Sequence, residues 1–306
     1  MSTNRLTFKS NLAQISVPAT SANLGPGFDC FGLAVEMRDR YAAQILDEAI
    51  FDVDVSGEGA EDLKKDKTHL VIRSMLRGFE HMGQKPRGIA LRALNVTPHS
   101  RGLGSSSSAI VGGLALARAL VHGGESLLTD DEMIALATEI EGHPDNVAAA
   151  VLGGATIAWM ENGIGRAVKI DVHEKIKALA FIPAAGVSTS KARKLLPETV
   201  PHADAAANAG KAALLAHALS HRPDLLLTAT EDLIHQQYRS SVMAKSFELV
   251  ERFRAAGVAA TISGAGPTVL VLHTSSETEV EEMVLAAGSS FAVKHLSISQ
   301  QGYQQA

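Results

Sequence analysis

The sequence predicts an α+β protein of two domains, and three observations carry that prediction. Strand-like and helix-like stretches interleave along the 306 residues, a length that exceeds one typical core. A glycine- and serine-rich loop, Pro98–Ser108, opens directly onto a helical pattern. After about residue 170 the pattern starts again, with a hairpin-like pair of strands in its second half. The expected division gives residues 1–165 to the first domain and 166–306 to the second, with the boundary somewhere in 160–175.

Taken in order, residues 12–17 read as a strand that breaks into Ala19–Asp29, where Gly25-Pro26-Gly27 forces a turn. Strand-like segments follow near 31–36 and 51–56. Leu70, Leu76 and Phe79 lie in a helix-like stretch that ends near Gly83 and Pro86. Residues 88–96 look extended and lead into the glycine-serine loop. Beyond it, Ile110, Leu114, Ala117 and Val121 recur at the spacing of one helix face. Thr129 and Glu132 form a capping box for a helix carrying Met133, Leu136, Ala137 and Ile140 on one face. Gly153-Gly154 closes a short alanine-rich helix, and 155–160 resembles a strand. In the second half a strand at 177–182 precedes alanine- and leucine-rich helices across 204–236, then a helix at 245–256. Val258–Ile262 and Thr268–His273 read as strands joined by Ser263-Gly264-Ala265-Gly266-Pro267. A helix at 277–287 and a strand at 292–298 complete a sandwich of helices on one sheet face.

Composition narrows the function classes. With 46% hydrophobic and 20% charged residues the chain is ordinary for a globular protein. Its net charge of −5 and lack of a dense basic cluster speak against nucleic acid as a partner. A lone cysteine, Cys30, excludes an intrachain disulfide and any cysteine-rich zinc site, and fits a reducing compartment. The polar start lacks the apolar core of a signal peptide, and no stretch approaches the roughly 20 apolar residues of a membrane span. The expectation is a cytoplasmic protein with no membrane partner.

The loop carries the first chemical signal. Glycines before a helix start let the backbone approach a ligand, and the unpaired N–H groups and the helix dipole favour an anion there. Phosphate is the natural anion, although a serine-rich loop can also simply cap a core helix. Ser105 stands where a Walker loop has lysine, and Ser107 where a dinucleotide-binding loop has its last glycine, so neither nucleotide fold is supported.

Three further segments are hard to explain as structure alone. In Glu139-Ile140-Glu141-Gly142-His143-Pro144-Asp145-Asn146 two glutamates end a helix, where the dipole disfavours acids by about 0.3–1 kcal/mol each. Such an acid is a candidate metal ligand or a tolerated surface residue. Asp145 stands where the next helix would take an N-cap, and His143 could be an ordinary loop histidine. Thr189 and Arg193 share a face if their segment is helical, and Arg239 follows on another helical stretch. Guanidinium groups bind carboxylates through paired hydrogen bonds, or form surface ion pairs.

Together these segments resemble the GHMP kinases, small-molecule kinases named for galactose, homoserine, mevalonate and phosphomevalonate. Pro98–Ser108 is similar to their central motif and Ser263–Pro267 to their C-terminal one. Pro18–Asp29, His143–Asn146 and Ser188–Arg193 look like the branch that acts on homoserine, and the likeness runs from about residue 12 to 273. The resemblance implies an N-terminal domain like ribosomal protein S5 domain 2 and a C-terminal ferredoxin-like domain, with the site between them. It implies transfer of the ATP γ-phosphoryl group to L-homoserine, a step toward threonine, with ATP and Mg2+ bound.

By the same resemblance Pro98, His99, Ser100, Arg101, Gly102, Leu103, Gly104, Ser105, Ser106, Ser107 and Ser108 wrap the ATP phosphates, and Ser106 and Glu141 hold Mg2+. Asn23, Asp29, His143, Asp145, Thr189, Arg193, Arg239 and the Gly264 backbone hold the substrate. Asn146 lies at the acceptor hydroxyl, and Asp145 aligns with the catalytic base of several relatives. Asp29 and Asp145 suit an ammonium group, Arg193 and Arg239 a carboxylate. His69-Leu70-Val71 departs from the Asn-Leu-Val common near the adenine pocket. The alternatives are another GHMP kinase, of mevalonate or shikimate type, and a non-catalytic nucleotide sensor. A homodimer is the default assembly.

Overall fold

The computed structural model describes residues 8–306. Its first sheet is built on a long antiparallel hairpin, β1 (Ala13–Asn23) and β2 (Gly27–Leu46). Both strands exceed the sequence expectation. Ala19–Asp29 reads in the sequence as a break after the strand, with a turn at Gly25-Pro26-Gly27, yet the stretch 18–23 stays paired. The structure keeps it in the ladder by shifting the register between Pro18 and Ala19, the kind of bulge at which a strand tolerates proline.

β3 (Phe51–Gly57), α1 (Leu70–His81) and β4 (Gly88–Asn95) follow as a parallel crossover unit. Next come α2 (Ser105–Leu120), α3 (Gly124–Leu127), α4 (Asp130–Glu141) and α5 (Asp145–Leu152). The Thr129–Glu132 capping box stands at the start of α4 as expected. The hairpin β5 (Ala155–Glu161) and β6 (Ile164–Ile170) extends the sheet from β2. Because α2 lies at the centre of the helical layer, it is buried nearly all round. Ile110, Val111 and Leu114 pack there with Val71, Ile72 and Met75 of α1 and Leu91 of β4.

The second half contains β7 (Lys177–Pro183), α6 (Thr189–Arg193), α7 (His202–Ser220), α8 (Leu226–Ala229) and a 3-10 turn at Gln237–Val242. It continues with α9 (Ala244–Ala255), β8 (Ala259–Ile262), β9 (Val269–His273), α10 (Glu277–Ala287) and β10 (Phe291–Leu296). Its antiparallel sheet has the order β10-β7-β9-β8. Helices cover both faces of this sheet rather than the one face expected. Leu179, Phe181, Val269 and Val271 pack against α9 and α10, while Ala178, Ala180, Leu270 and Leu272 face Leu215, Leu219 and Leu226. A strand with no polar alternates, such as Ala178–Ile182, needs cover on both sides.

The face with Ala178 also packs on Leu24, Phe31, Leu33 and Leu103 from the first half, so one apolar core joins the two halves beneath the β1–β2 turn. The expected division between residues 165 and 166 falls inside β6. The chain end also returns to the first sheet, where β11 (Gln304–Gln305) pairs with β1 and Ser299 N–H donates to Ala34 O at 2.9 Å. Among the described residues no helix is long and apolar enough to cross a membrane.

Two buried histidines tie this packing to pH. Burial pulls both His69 and His273 below their ordinary value of 6.5, and Lys177 and His295 add to the effect at His273. Unfolding exposes these rings, so below about pH 6.5 the unfolded chain binds more protons than the fold. Stability is therefore expected to be full above that pH and to decline as pH falls through the window beneath it. Melting temperatures measured from pH 7.5 to 5 should fall, and His273→Asn should flatten part of the slope; an unchanged slope would exclude His273 as a contributor.

Candidate active site

A cavity of about 250 Å3 opens where the two halves meet, and most of the expected site residues line it. Asn23 and Asp29 come from the β1–β2 turn, and Ser100, Gly102, Leu103, Gly104, Ser105 and Ser106 from the glycine-serine loop. Glu141, His143, Asp145 and Asn146 come from the α4–α5 junction, Thr189 and Arg193 from α6, Arg239 from the 3-10 turn and Gly264 from the β8–β9 loop. Five expected loop residues lie outside this lining. Ser108 Oγ is 3.1 Å from the Tyr41 hydroxyl in the core, and Ser107 Oγ donates to Glu141 Oε1 at 3.2 Å. Arg101 ties the loop to the second half through the carbonyls of Pro183 (3.2 Å) and Ala184. His99 lies against Gly59, and Pro98 is half-buried at the loop's entry.

The loop is held by its neighbours on both sides. Thr20 N–H donates to Leu103 O at 3.0 Å, and Thr268 N–H to Arg101 O at 3.3 Å. Ser263 Oγ lies 2.5 Å from Gly102 O and 2.7 Å from Ser21 Oγ, so the two glycine-rich loops interlock. Gly102 and Gly104 have φ of 75° and 71°. A side chain at either would also strike backbone of the β8–β9 loop or the Thr20 hydroxyl. Gly104 is the N-cap of α2, and no acid occupies the first turn of that helix. Its first-turn N–H groups and the helix dipole suit the loop to an anion.

The two glutamates at the end of α4 differ in their contacts. Glu139 forms a forked contact with Arg77, at 3.0 and 3.3 Å, which is the ordinary surface outcome. Glu141 has no basic partner among the described residues; its Oε1 accepts from Ser106 Oγ at 2.6 Å and from Ser107 Oγ. Asp145 is the first residue of α5 rather than its N-cap, which is Pro144. Its side chain is 3% exposed, and Oδ1 accepts from Asn146 N–H at 2.6 Å and meets His143 Nδ1 at 2.9 Å. Burial pulls the His143 pKa down, but the hydrogen bond and charge of Asp145, with Glu141, outweigh it and leave it above the ordinary value. Oδ2 of Asp145 has no hydrogen-bond partner among the described residues, and Asp145 and Asn146 both line the cavity.

Two arginines also line the cavity. Arg193 meets Asp29 through two bonds of 2.6 and 2.9 Å, which raise the guanidinium pKa. Asp29 and Arg193 therefore pair with each other, where the resemblance assigns them to opposite ends of the substrate. Arg239 is 2% exposed and has no ion-pair partner among the described residues. Its Nη1 donates to Gly264 O at 3.3 Å, and its buried Nε has no partner. Burial and the nearby Arg193 charge pull its pKa below the usual arginine value. Asn23 Nδ2 donates to the same Gly264 carbonyl at 2.9 Å, joining the β1–β2 turn to the β8–β9 loop.

Sequence reasoning missed Phe28, Ser188 and Thr20. Phe28 and Ser188 line the cavity, and Thr20 Oγ1 donates to Asn146 Oδ1 at 2.8 Å. Phe28 lies inside the Pro18–Asp29 segment, yet a phenylalanine reads as core. His69, the departure noted near the adenine pocket, caps α1 with Nδ1 accepting from Val71 N–H at 3.3 Å, and its buried Nε2 has no partner. No three His, Cys, Asp or Glu side chains converge to hold a metal among the described residues.

Two family models match the chain: GHMP kinases N terminal domain over residues 69–154, and GHMP kinases C terminal over residues 205–292. Fold and matches together define an ATP-dependent small-molecule kinase of the GHMP class. Homoserine kinase of Streptomyces coelicolor is 49% identical over 295 residues, 96% of this chain and 94% of that one. Homoserine kinase of Mycobacterium tuberculosis is 44% identical over 294 residues, 94% and 93% of the two chains. The crystal structure of homoserine kinase from Cytophaga hutchinsonii superposes with a TM-score of 0.83 at 26% identity, covering 98% of both chains. The chain belongs to the homoserine kinase family of the GHMP kinases.

Proposed function

We propose that this kinase transfers the γ-phosphoryl group of ATP to the side-chain hydroxyl of L-homoserine, giving O-phospho-L-homoserine on the way to threonine. The observation that carries the reading is the placement of charge in one cavity. A buried guanidinium without a carboxylate partner (Arg239) and a buried carboxylate with one free oxygen (Asp145) flank the glycine-serine loop. An α-amino acid needs that pair of opposite charges, one for each end.

In this reading the loop backbone and the start of α2 receive the ATP phosphates. Ser106 and Glu141 would hold Mg2+. One hydroxyl and one carboxylate form the sparse protein donor set that suits an ion completing its shell with phosphate and water. Bound there, the ion would neutralise charge on the phosphates as the γ-group transfers. Arg193, Arg239 and Thr189 receive the substrate carboxylate, while Asp145 Oδ2 receives the ammonium with His143 steadying Oδ1. Asn146, oriented by Thr20, meets the acceptor hydroxyl. The hydroxyl oxygen bonds to the γ-phosphorus, the bond to the β–γ bridging oxygen breaks, ADP departs, and the hydroxyl proton passes to the transferred group. Asp145, engaged with the ammonium, is poorly placed to take that proton, so the reaction relies on positioning and charge neutralisation.

Asp145→Asn is accordingly expected to raise KM for L-homoserine by roughly 30- to 1,000-fold, with kcat within about tenfold of wild type. A loss confined to kcat would make Asp145 a base instead. The reading itself is tested by ADP release with ATP and Mg2+ and, separately, L-homoserine, L-serine, mevalonate or shikimate. Release dependent on L-homoserine supports it; release with another acceptor moves the substrate assignment, and ATP binding without turnover favours a sensor. The free Cys30 thiol agrees with a cytoplasmic enzyme, and a symmetric homodimer is the assembly expected of it.

A further inference from the structure

Arg193 and Arg239 come from different elements, yet they converge on one aromatic ring. The guanidinium carbon of Arg193 lies 5.5 Å from the Phe28 ring centroid, and that of Arg239 lies 5.1 Å away. The ring of His235 stacks on the same phenyl group, with centroids 5.0 Å apart and planes tilted by 30°. His235 is fully buried, and its Nε2 donates to Gly25 O at 2.7 Å in the turn that carries Phe28. Asn208 of α7 holds the same turn, with Nδ2 donating to Pro26 O at 2.8 Å. The phenyl group is therefore fixed through its own turn, and it has only two side-chain torsions to restrain.

Two guanidinium groups against one ring repel each other, and the Arg193 charge lowers the Arg239 pKa. An aromatic face and a carboxylate can share that charge, and the chain supplies both from consecutive residues. Phe28 lies under both cations, and Asp29 accepts the paired bonds of Arg193. Burial pulls the His235 pKa down, although the buried Asp232 carboxylate, 3.4 Å from its Nε2, opposes that shift. Arg239 feels the charges of Asp29, Asp232 and Asp145 but makes no ion pair among the described residues, so a ligand carboxylate that reaches both guanidiniums completes the arrangement.

We propose that Phe28 is a positioning residue that sets specificity for the substrate carboxylate: its ring, backed by His235, holds Arg193 and Arg239 side by side so that one carboxylate can bridge them. The inference rests on the reading that the acceptor is an α-amino acid.

Phe28→Leu keeps an apolar group but removes the aromatic face. KM for L-homoserine is expected to rise about 5- to 30-fold, with kcat and the ATP KM within about twofold of wild type. Two inhibitors isolate the carboxylate. L-2-aminobutyrate has the ammonium and carboxylate but no hydroxyl, whereas 3-amino-1-propanol has the ammonium and hydroxyl but no carboxylate. Inhibition by the first should weaken in Phe28→Leu by the same factor as KM and inhibition by the second should not change, and Phe28→Tyr should restore the KM and the inhibition by L-2-aminobutyrate. Equal weakening toward both inhibitors, a loss of ATP affinity with a lowered melting temperature, or an unchanged L-homoserine KM overturns the proposal. If the wild-type protein releases no ADP with L-homoserine, the functional reading fails first and the proposal falls with it.

Discussion

Glu141→Gln is expected to cut kcat/KM by roughly 100- to 1,000-fold while leaving the fold at least as stable as wild type. The two halves of that expectation have separate causes. Glu141 is the last residue of α4, where the helix dipole disfavours an acid, and no described basic group compensates it. Removing the charge relieves about 0.3–1 kcal/mol of that unfavourable interaction, so the melting temperature should hold or rise slightly. In the proposed reading the carboxylate holds Mg2+, and the amide that replaces it offers the ion a single neutral oxygen. Excess Mg2+ should recover part of the activity. Glu139→Gln, two residues away on the same helix end, is the control. It loses an exposed ion pair with Arg77 worth at most about 1 kcal/mol, and activity should be unaffected. Steady-state ADP release across a Mg2+ titration, with thermal melts of each variant, reads both halves. Glu141→Gln activity within threefold of wild type would remove Glu141 from the metal site.

That contrast shows how far the sequence carries the site. A glutamate at a helix end is anomalous by local rules, and the anomaly is visible in the sequence; which of Glu139 and Glu141 is ordinary depends on Arg77, which is distant in sequence. The loop glycines, the capping box of α4 and most helices are likewise legible, because caps and apolar periodicity are local. The stretch Thr20–Asn23 is not. Small polar residues read as a loop, but here they are buried in β1. Their polar groups are matched far along the chain, Thr20 with Asn146, Ser21 with Ser263 and Asn23 with Gly264. Polarity alone cannot separate a solvated turn from a strand whose partners arrive from elsewhere. The return of β11 to β1 is hidden for a related reason. A two-residue strand of glutamines carries no pattern, and Arg38, which bonds to Gly302 O at 2.5 Å, tethers the segment from outside. Phe28 needed three dimensions most of all, since its role lies in the groups gathered around it.

Arg239→Met is expected to separate stability from function more sharply than any other substitution here. The side chain is among the largest that are fully buried, and it carries a charge that no described carboxylate pairs. Such a cation costs the fold solvation that it recovers only in part through one long hydrogen bond to Gly264 O and the phenyl face of Phe28. Methionine fills a similar length without the charge, so the ligand-free variant should melt at the wild-type temperature or above it. For the substrate the outcome reverses. KM for L-homoserine should rise roughly 30- to 1,000-fold, the scale of about 2–4 kcal/mol for removing one partner of a buried charge pair. L-homoserine should raise the melting temperature of the wild-type protein but not of Arg239→Met, because only a fold that binds the ligand is stabilised by it. A variant that melts well below wild type would make Arg239 a structural residue whose charge is satisfied within the fold. A stable variant with an unchanged KM would place the substrate carboxylate elsewhere. A buried guanidinium with no ion-pair partner among the described residues burdens the fold, and in the proposed reading the substrate carboxylate supplies the missing anion.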